Sequence, residues 1–278
     1  SLGVQIPPGF TISTEACVYY FQNKNTFPSK LWDEILSRLK DLEKVLGKNF
    51  GDPDNPLLVS VRSGARVSMP GMMDTVLNLG LNDTTARGLA KSTKNEWFAL
   101  DSYRRFIAMF GNVVLGIPGG RFETILTKKK LKRKIEFDTE FTIQELKALI
   151  RQFKALVVRV TGEEFLEDPM QQLRMTVEAV FNSWNTERAR TYRRLNNIPR
   201  EWGTAVTVQS MVFGNMGETS ATGVAFTRNP ATGEKKFYGE YMLNAQGEDV
   251  VAGIRTPNSI EMLEKDMPEV YQDLVKVY

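Results

Sequence analysis

Residues 57–75 read LLVSVRSGARVSMPGMMDT, and this stretch decides the expected fold. Its opening residues are apolar apart from Ser60, and they follow the turn-forming segment GDPDNP, which is typical of a short strand buried on both faces. The apolar run ends at Arg62 and gives way to small residues, a proline and paired methionines. The sequence therefore predicts that a buried strand delivers an arginine into a glycine-containing loop.

The loop after Arg62 has the composition of an anion site. Gly64 and Gly71 allow a ligand to approach the backbone closely, and residues 73–77 are predicted to begin a helix. Backbone amides that lead into a helix N-terminus bind anions, and a guanidinium forks onto phosphate oxygens. The alternative is a structural arginine that caps carbonyl groups, and spacing alone favours neither. The loop is not a P-loop, because no Gly-Lys-Ser/Thr triplet follows.

The segments before this stretch predict one strand and two helices. Residues 4–12 have the pattern of a short strand, and Ser13 or Thr14 is placed to cap a helix through EACVYYF. Residues 31–46 carry leucine or isoleucine at three- and four-residue spacings, and Gly47 follows. This pattern indicates an amphipathic helix that ends at the glycine.

Residues 84–195 carry long helical patterns. Thr142 opens a capping box for a helix toward Val158, and Pro169 suits the first turn of another helix. Strand periodicity returns in GTAVTVQSMVF, TGVAFTR and KKFYGEYML, with NPATGE as a hairpin turn between the last two. The order predicts a mixed α/β (α+β) fold with a helical insertion.

Composition excludes several classes of chemistry. The 278 residues include no histidine, which rules out Ser-His and Cys-His catalysis and histidine metal sites. Cys17 is the single cysteine and is predicted to be a small buried hydrophobe. The formal charge of +3 comes from 36 basic and 33 acidic residues, a near balance that argues against a protein that binds polyanions over its whole surface. No apolar run suits a membrane span and no secretory signal is visible, so a cytoplasmic protein is expected.

A second candidate site lies in TVQSMVFGN at residues 207–215. Gln209 stands among apolar residues, and Met211, Val212 and Phe213 lead into a Gly-Asn turn. The end of such a strand can offer backbone hydrogen bonds to a purine edge while methionine and phenylalanine contact the ring. An ordinary core strand is the favoured interpretation.

Two further polar groups have favoured structural interpretations. Arg228, Asn229, Glu240 and Gln246 can face a ligand, but a solvated sheet face is favoured. The basic run KKKLKRK at 128–134 can contact nucleic acid, but it lacks aromatic residues and precedes the acidic EFDTE. A solvated loop or helix end is the favoured interpretation of the run.

Four stretches closely resemble the N-terminal nucleotide-binding region of the pyruvate, phosphate dikinase family. They are LLVSVRSGARVSMPGMMDTVLNLGLND, DSYRRFIAMFGNVV, WGTAVTVQSMVFGNMGETSATGVAFTRNP and YGEYMLNAQGEDVVAGIRTP. The resemblance implies an ATP-grasp-type fold that clamps ATP between two α/β parts beside a helical insertion. It assigns residues 1–81 plus 168–213 to the first α/β subdomain, 82–167 to the insertion and 214–278 to an incomplete second α/β subdomain.

The resemblance also implies a reaction. Full-length members convert ATP, inorganic phosphate and pyruvate into AMP, pyrophosphate and phosphoenolpyruvate. The nucleotide domain transfers the β-phosphoryl group of ATP to a histidine on a swivelling domain, and magnesium bridges the phosphates. The implied partners are ATP, inorganic phosphate and the histidine-bearing domain, with no nucleic acid and no membrane.

The implied site is centred on Arg62, which resembles the family arginine that holds the ATP phosphates and is the expected catalytic residue. The other implied residues contact the phosphates or the adenine. They are Gly71 and Thr75 in the loop that covers the phosphates, Gln209 near the nucleotide, and Met211 and Val212 on the adenine-side strand.

The family pattern extends beyond both ends of this sequence. A glycine-rich segment with a phosphate-binding lysine precedes the residues equivalent to VQIPPGF, and acidic metal-binding residues and a Gln-x-Arg motif follow the position of Tyr278. The expectation is a monomeric fragment that binds ATP-Mg weakly, does not turn over alone and has most magnesium ligands outside it. The alternatives are a non-catalytic nucleotide-sensing or docking module of the same fold and the ATP domain of a phosphoenolpyruvate synthase.

Overall fold

The computed structural model describes residues 4–251 and 256–278. The described residues form two compact units. The larger is Pro7–Met211, and the smaller contains residues 4–6 and the described residues from Val212 to Tyr278. Residues 252–255, which belong to the last of the four family-like stretches, lie outside the described residues.

The strands of the larger unit build one four-stranded antiparallel sheet and a two-stranded parallel pair. The sheet contains β1, β4, β5 and β6 in the order β1-β6-β4-β5, and the pair contains β2 and β3. Their bounds are β1 Gly9–Ile12, β2 Asn49–Phe50, β3 Pro56–Leu57, β4 Val59–Gly64, β5 Thr75–Leu79 and β6 Ala205–Ser210.

The helices of the larger unit follow the predicted boundaries closely where the sequence carries capping signals. They are α1 Thr14–Gln22, α2 Leu31–Leu46, α3 Asp83–Thr93, α4 Glu96–Val113, α5 Gly119–Arg133, α6 Ile143–Thr161, α7 Pro169–Ser183 and α8 Glu187–Leu195. Gly47 ends α2 in the left-handed conformation, Thr142 forms the capping box of α6, and Pro169 occupies the first turn of α7. These three predictions are confirmed.

One face of the four-stranded sheet supplies the core around the site. Val59, Val61, Val206 and Val208 are fully buried on this face, which packs against α1 and α7. The helical block is organised around α4, which packs on β5, α3 and α6. Its aromatic side chains include Phe106 and Phe110, both fully buried. No helix in the described part of the chain is both long and apolar enough to cross a membrane.

The smaller unit contains a three-stranded antiparallel sheet in the order β7-β8-β9 and short helices. The bounds are β7 Ala221–Phe226, β8 Tyr238–Leu243, α9 Gly247–Val251, β9 Asn258–Ser259, α10 Leu263–Asp266 and α11 Pro268–Val277. Tyr241, Ile260 and Leu263 form its buried apolar cluster. The predicted hairpin between β7 and β8 is confirmed, and the Asn229 side chain accepts from the backbone amides of Ala231 and Thr232 in its turn.

The predicted helix at residues 73–77 is wrong. Thr75–Leu79 forms β5 instead, and it pairs antiparallel with β4. The cause is tertiary packing. Val76 and Leu79 are buried against the helices beneath the sheet, and β5 forms its backbone hydrogen bonds with β4 instead of within a helix. The loop after Arg62 therefore connects two paired strands, and the anion-binding contribution of a helix N-terminus is absent there.

Candidate functional site

A polar row crosses the sheet face opposite the buried valines. Arg62 of β4 lies opposite Thr75 of β5 on one side and Thr207 of β6 on the other. Thr207 in turn lies opposite Thr11 of β1, and their hydroxyl oxygens are 3.1 Å apart in a hydrogen bond. Because directly opposed residues share a face of a sheet, these four side chains lie on one surface.

The Arg62 guanidinium is exposed on this surface. Its cross-strand neighbours are hydroxyl groups, and among the described residues it forms no ion pair. The five N–H donors of arginine match the oxygens of a phosphate, and threonine hydroxyls can donate beside them. The row is therefore suited to an anion that carries several oxygens.

The change in burial along β4 explains why the Arg62 side chain reaches this surface. Residues 57–61 are buried, so the predicted burial is confirmed up to Val61, but the predicted strand is divided at Leu58 between β3 and β4. Ser60 is buried on the Arg62 face and donates to the Gln209 carbonyl at 3.3 Å. Burial ends on this face at Arg62, where the chain leaves the core for the loop.

The loop at residues 65–74 is fastened to α8. Met69 is buried with Trp184, and the Arg188 Nε donates to the Met72 carbonyl at 3.1 Å while its Nη2 pairs with Asp74. Gly71 has a φ of +70°, a conformation that glycine adopts without a steric penalty. The predicted site residue Gly71 therefore lies in a loop that contacts α8. The loop leads directly to Thr75, which belongs to the polar row.

Gln209 lies on the same sheet face as Arg62, two residues from Thr207 on β6. Its side-chain amide donates to the Pro7 carbonyl at 2.9 Å, so it also holds the start of β1. Gly9 lies directly opposite, and a Cβ at Gly9 would lie 2.8 Å from the Gln209 Cα. The predicted polar contact thus has a structural role as well.

Met211 and Val212 stand at the division between the two units. The Met211 amide donates to the Leu58 carbonyl at 2.9 Å, which extends the pairing beyond the end of β6. Val212 belongs to the smaller unit, and its side chain is 71% exposed. Arg62, Thr75 and Gln209 are therefore brought to one face, Gly71 lies in the adjoining loop, and Met211 follows the strand.

The polar candidates of the smaller unit lie in different environments. Arg228 donates to the Gly233 carbonyl within the hairpin, and Glu240 is exposed on β8. Gln246 corrects the prediction of a solvated face, because it is only 4% exposed. Among the described residues its side-chain amide has no hydrogen-bond partner, and the same is true of the buried Asn215. The Ala245 amide, next to Gln246 in the chain, donates to the Gly214 carbonyl next to Asn215 at 2.8 Å.

The basic run at 128–134 is the end of α5, as the favoured interpretation predicted. Lys130 pairs with Asp138 at 2.5 Å, and Arg133 pairs with Glu145 at 2.6 Å. Cys17 is buried as predicted, and burial raises the pKa of its thiol to about 11. In the described part of the chain, no group of three or more cysteine or acidic side chains is placed to hold a metal ion.

Thr11 and Thr207 share the polar row with Arg62 and were not expected from the sequence analysis. Thr207 precedes Gln209 by two positions, so the alternation of β6 places it on the same face as Gln209. Thr11 carries no comparable signal, because its position beside Thr207 depends on long-range pairing between β1 and β6.

Comparisons with known proteins show which family the chain belongs to. Residues 23–276 match the family described as pyruvate phosphate dikinase, AMP/ATP-binding domain. The chain is 56% identical over 275 residues to pyruvate, phosphate dikinase of Clostridium symbiosum, covering 99% of this chain and 32% of that protein. It is 57% identical over 276 residues to pyruvate, phosphate dikinase 2 of Oryza sativa subsp. japonica, covering 99% of this chain and 31% of that protein.

A chloroplastic pyruvate, phosphate dikinase of Flaveria pringlei is 56% identical over 276 residues, covering 99% of this chain and 29% of that protein. The chain thus spans about a third of the length of these curated relatives. The chain belongs to the pyruvate phosphate dikinase AMP/ATP-binding domain family, and its ATP-grasp-type fold is the one that the sequence predicted.

Proposed function

We propose that this chain is the ATP-binding part of a pyruvate, phosphate dikinase. In this proposal the whole protein transfers the β-phosphoryl group of ATP to a histidine on a separate domain. Inorganic phosphate takes the γ-phosphoryl group to form pyrophosphate, AMP is released, and the phosphohistidine then converts pyruvate to phosphoenolpyruvate. Membership of the AMP/ATP-binding domain family and identity to dikinases over 99% of the chain support the proposal.

The observation that carries the proposal is the exposed Arg62 guanidinium within a row of hydroxyl groups. Arg62 would hold the phosphates of ATP and offset the negative charge that repels an incoming nucleophile. Thr75 and Thr207 would donate to phosphate oxygens on either side, because they flank Arg62 in the register of the sheet. Catalysis of phosphoryl transfer is largely positioning and charge stabilisation, which these residues can supply.

The remaining site residues are assigned by the same proposal. Gly71 lets the loop backbone approach the phosphates, Gln209 contributes a polar contact, and Met211 and Val212 border the adenine. The left-handed conformation of Gly71 and the position of Gln209 on the Arg62 face support two of these roles.

Magnesium is proposed from the family resemblance alone. The described residues hold no group of three or more acidic side chains placed to hold a metal ion, so they add no support to this part of the proposal. We therefore derive no step of the reaction through the metal and assign most of its ligands to residues outside this chain.

The domain organisation and partners complete the proposal. Residues 1–81 plus 168–213 would be the first α/β subdomain, 82–167 a helical insertion and 214–278 the start of a second α/β subdomain. The division of the chain after Met211 supports the last boundary. The proposed partners are inorganic phosphate and the histidine-bearing domain of the parent, with a monomeric fragment, a cytoplasmic location and no nucleic acid. Ion pairing of Lys130 and Arg133 within the chain favours a structural role for the basic run.

Calorimetric titration with ATP and magnesium tests the proposal on the chain itself. We expect weak binding, and Arg62→Ala should lower the affinity by about tenfold or more, since hydrogen bonds to charged groups contribute roughly 1.5–3 kcal/mol. Arg121→Ala is the matched control, because Arg121 is an exposed arginine of α5 and should leave binding unchanged. Equal affinities for the Arg62 variant and the unmodified chain would contradict the assignment.

Within the full-length parent, Arg62→Ala should abolish the ATP half-reaction. It should spare exchange between pyruvate and phosphoenolpyruvate, because that step does not use ATP. Loss of both activities would indicate that Arg62 is structural.

A further inference from the structure

A groove in the helical block lies between the outer helices α3 and α6 and is lined by α4 as well. Both outer helices pack against α4, and the groove contains a cavity of about 330 Å³. This volume lies at the lower end of the roughly 300–1,000 Å³ that small-molecule sites occupy. The groove consists of helical residues only, so its shape is set by packed secondary structure.

The floor of the groove is apolar. Ala86 and Ile150 are buried there, and Ala90 and Leu100 are partly exposed beside them. Ala86 and Ala90 are one helical turn apart, and their small side chains leave the space between α3 and α6 open. An apolar group of a ligand can therefore enter the groove and displace water from this floor.

The acidic side chains at the rim already have partners. Asp83 pairs with Lys154 at 2.7 Å and accepts a hydrogen bond from the Tyr103 hydroxyl at 3.1 Å. Glu96 pairs with Lys147 at 2.7 Å. Each carboxylate has a lysine partner, but Lys154 also pairs with Glu167 at 2.6 Å, so negative charge remains at the rim.

The two arginines of the groove have no such partners. Arg87 donates to the Thr84 hydroxyl at 3.2 Å, and among the described residues neither Arg87 nor Arg151 forms an ion pair. Both arginines line the cavity, Arg87 from α3 and Arg151 from α6. Two uncompensated positive charges therefore border an apolar floor.

We propose that this groove binds a small organic monoanion, namely a carboxylate with an apolar body. The guanidiniums would fork onto the carboxylate oxygens, and the body would lie on the floor formed by α3, α4 and α6. A polyphosphate is a poorer match, because Asp83 and Glu96 would repel additional negative charge. This site involves α3, α4 and α6, whereas Arg62 lies on β4.

The experiment uses 2-naphthoate, a flat aromatic monocarboxylate, as the probe and calorimetry as the measurement. We expect saturable binding to the chain. Arg87→Gln or Arg151→Gln should weaken this binding about fivefold to tenfold. The neutral analogue 2-naphthalenemethanol should bind the original chain no more tightly than 2-naphthoate binds these variants. Arg121→Gln is the matched control, since it removes an exposed arginine outside the groove.

Two more variants locate the binding. Ala90→Leu should abolish it by filling the groove, and circular dichroism would verify that the variant remains folded. Arg62→Ala should leave 2-naphthoate binding unchanged, which separates this site from the proposed ATP face.

The proposal is overturned if the chain does not bind 2-naphthoate at millimolar concentration or binds the neutral analogue equally well. Unchanged affinity in both groove arginine variants overturns it as well, as does unchanged affinity in a folded Ala90→Leu variant.

Discussion

Replacing Asp101 with asparagine should destabilise the helical block strongly, because Asp101 is a buried carboxylate shared by two arginines of α4. Its side chain is 1% exposed. Oδ1 accepts from the Arg104 Nε at 2.9 Å and from Nη2 at 2.5 Å, while Oδ2 accepts from the Arg105 Nε at 2.8 Å. Arg104 also pairs with Asp138 at 2.9 Å, which joins α4 to the segment before α6.

The expected cost follows from burial. Removing one partner of a buried ion pair leaves the other charge poorly compensated and costs about 3–5 kcal/mol. For a unit of this size, each kcal/mol shifts the melting temperature by roughly 2–4 °C, so Asp101→Asn should lower it by roughly 6–20 °C.

The effect should depend on pH in a defined direction. Burial acts to raise the pKa of Asp101, but the charges of Arg104 and Arg105 and their hydrogen bonds outweigh it and lower the pKa. The contribution of the carboxylate is therefore present above the unfolded pKa of roughly 3.9 and is lost as pH falls toward the folded pKa. The difference between the original chain and the variant should be full at pH 7 and should narrow below about pH 4.

Differential scanning calorimetry at several pH values provides the measurement. Asp41→Asn is the control, because the Arg38–Asp41 pair has a similar distance of 2.9 Å but side chains that are 64% and 50% exposed. An exposed pair contributes less than about 1 kcal/mol, so this variant should melt within a few degrees of the original chain. Equal shifts for the two variants would refute the reasoning.

Two further predictions concern the core. Gly88→Ala should destabilise the chain by about 1–3 kcal/mol, because the new Cβ would lie 2.1 Å from the Pro53 carbonyl oxygen. In the control variant Gly120→Ala the new Cβ meets no atom within 4 Å, so this variant should stabilise the chain by up to about 1 kcal/mol. Urea unfolding of both variants measures the difference, and equal effects would be inconsistent with the close approach. The Cys17 thiol should react with Ellman's reagent at pH 8 much more slowly in the native than in the unfolded chain, since it is fully buried with a pKa of about 11; rapid native labelling would argue against this burial.

Local signals in the sequence predicted the helices well. Gly47, Thr142 and Pro169 each act through backbone groups within a few residues, so their effects do not depend on the rest of the fold. The segment at 73–77 lacked such a signal. Its conformation is decided by pairing with β4, which no short-range pattern records.

The site shows the same division. Buried apolar residues followed by Arg62 marked the end of a strand, and Gly71 marked a turn in the loop, so both could be proposed from the sequence. The threonines at 11 and 207 could not be grouped with Arg62, because they come from strands almost 200 residues apart. The burial of Gln246 was likewise missed, since a glutamine after a strand is usually solvated.

The sequence by itself determined the family, the mixed α/β fold, the ends of the capped helices and the identity of the arginine that leaves the core. Each of these depends on residue order or on contacts between near neighbours. Only the tertiary structure decided that Thr11, Thr207, Arg62 and Thr75 form one row and that Arg87 and Arg151 border one groove. The physical reason is that strand register and helix packing are set by burial across the whole unit, which brings together side chains that are distant in the chain.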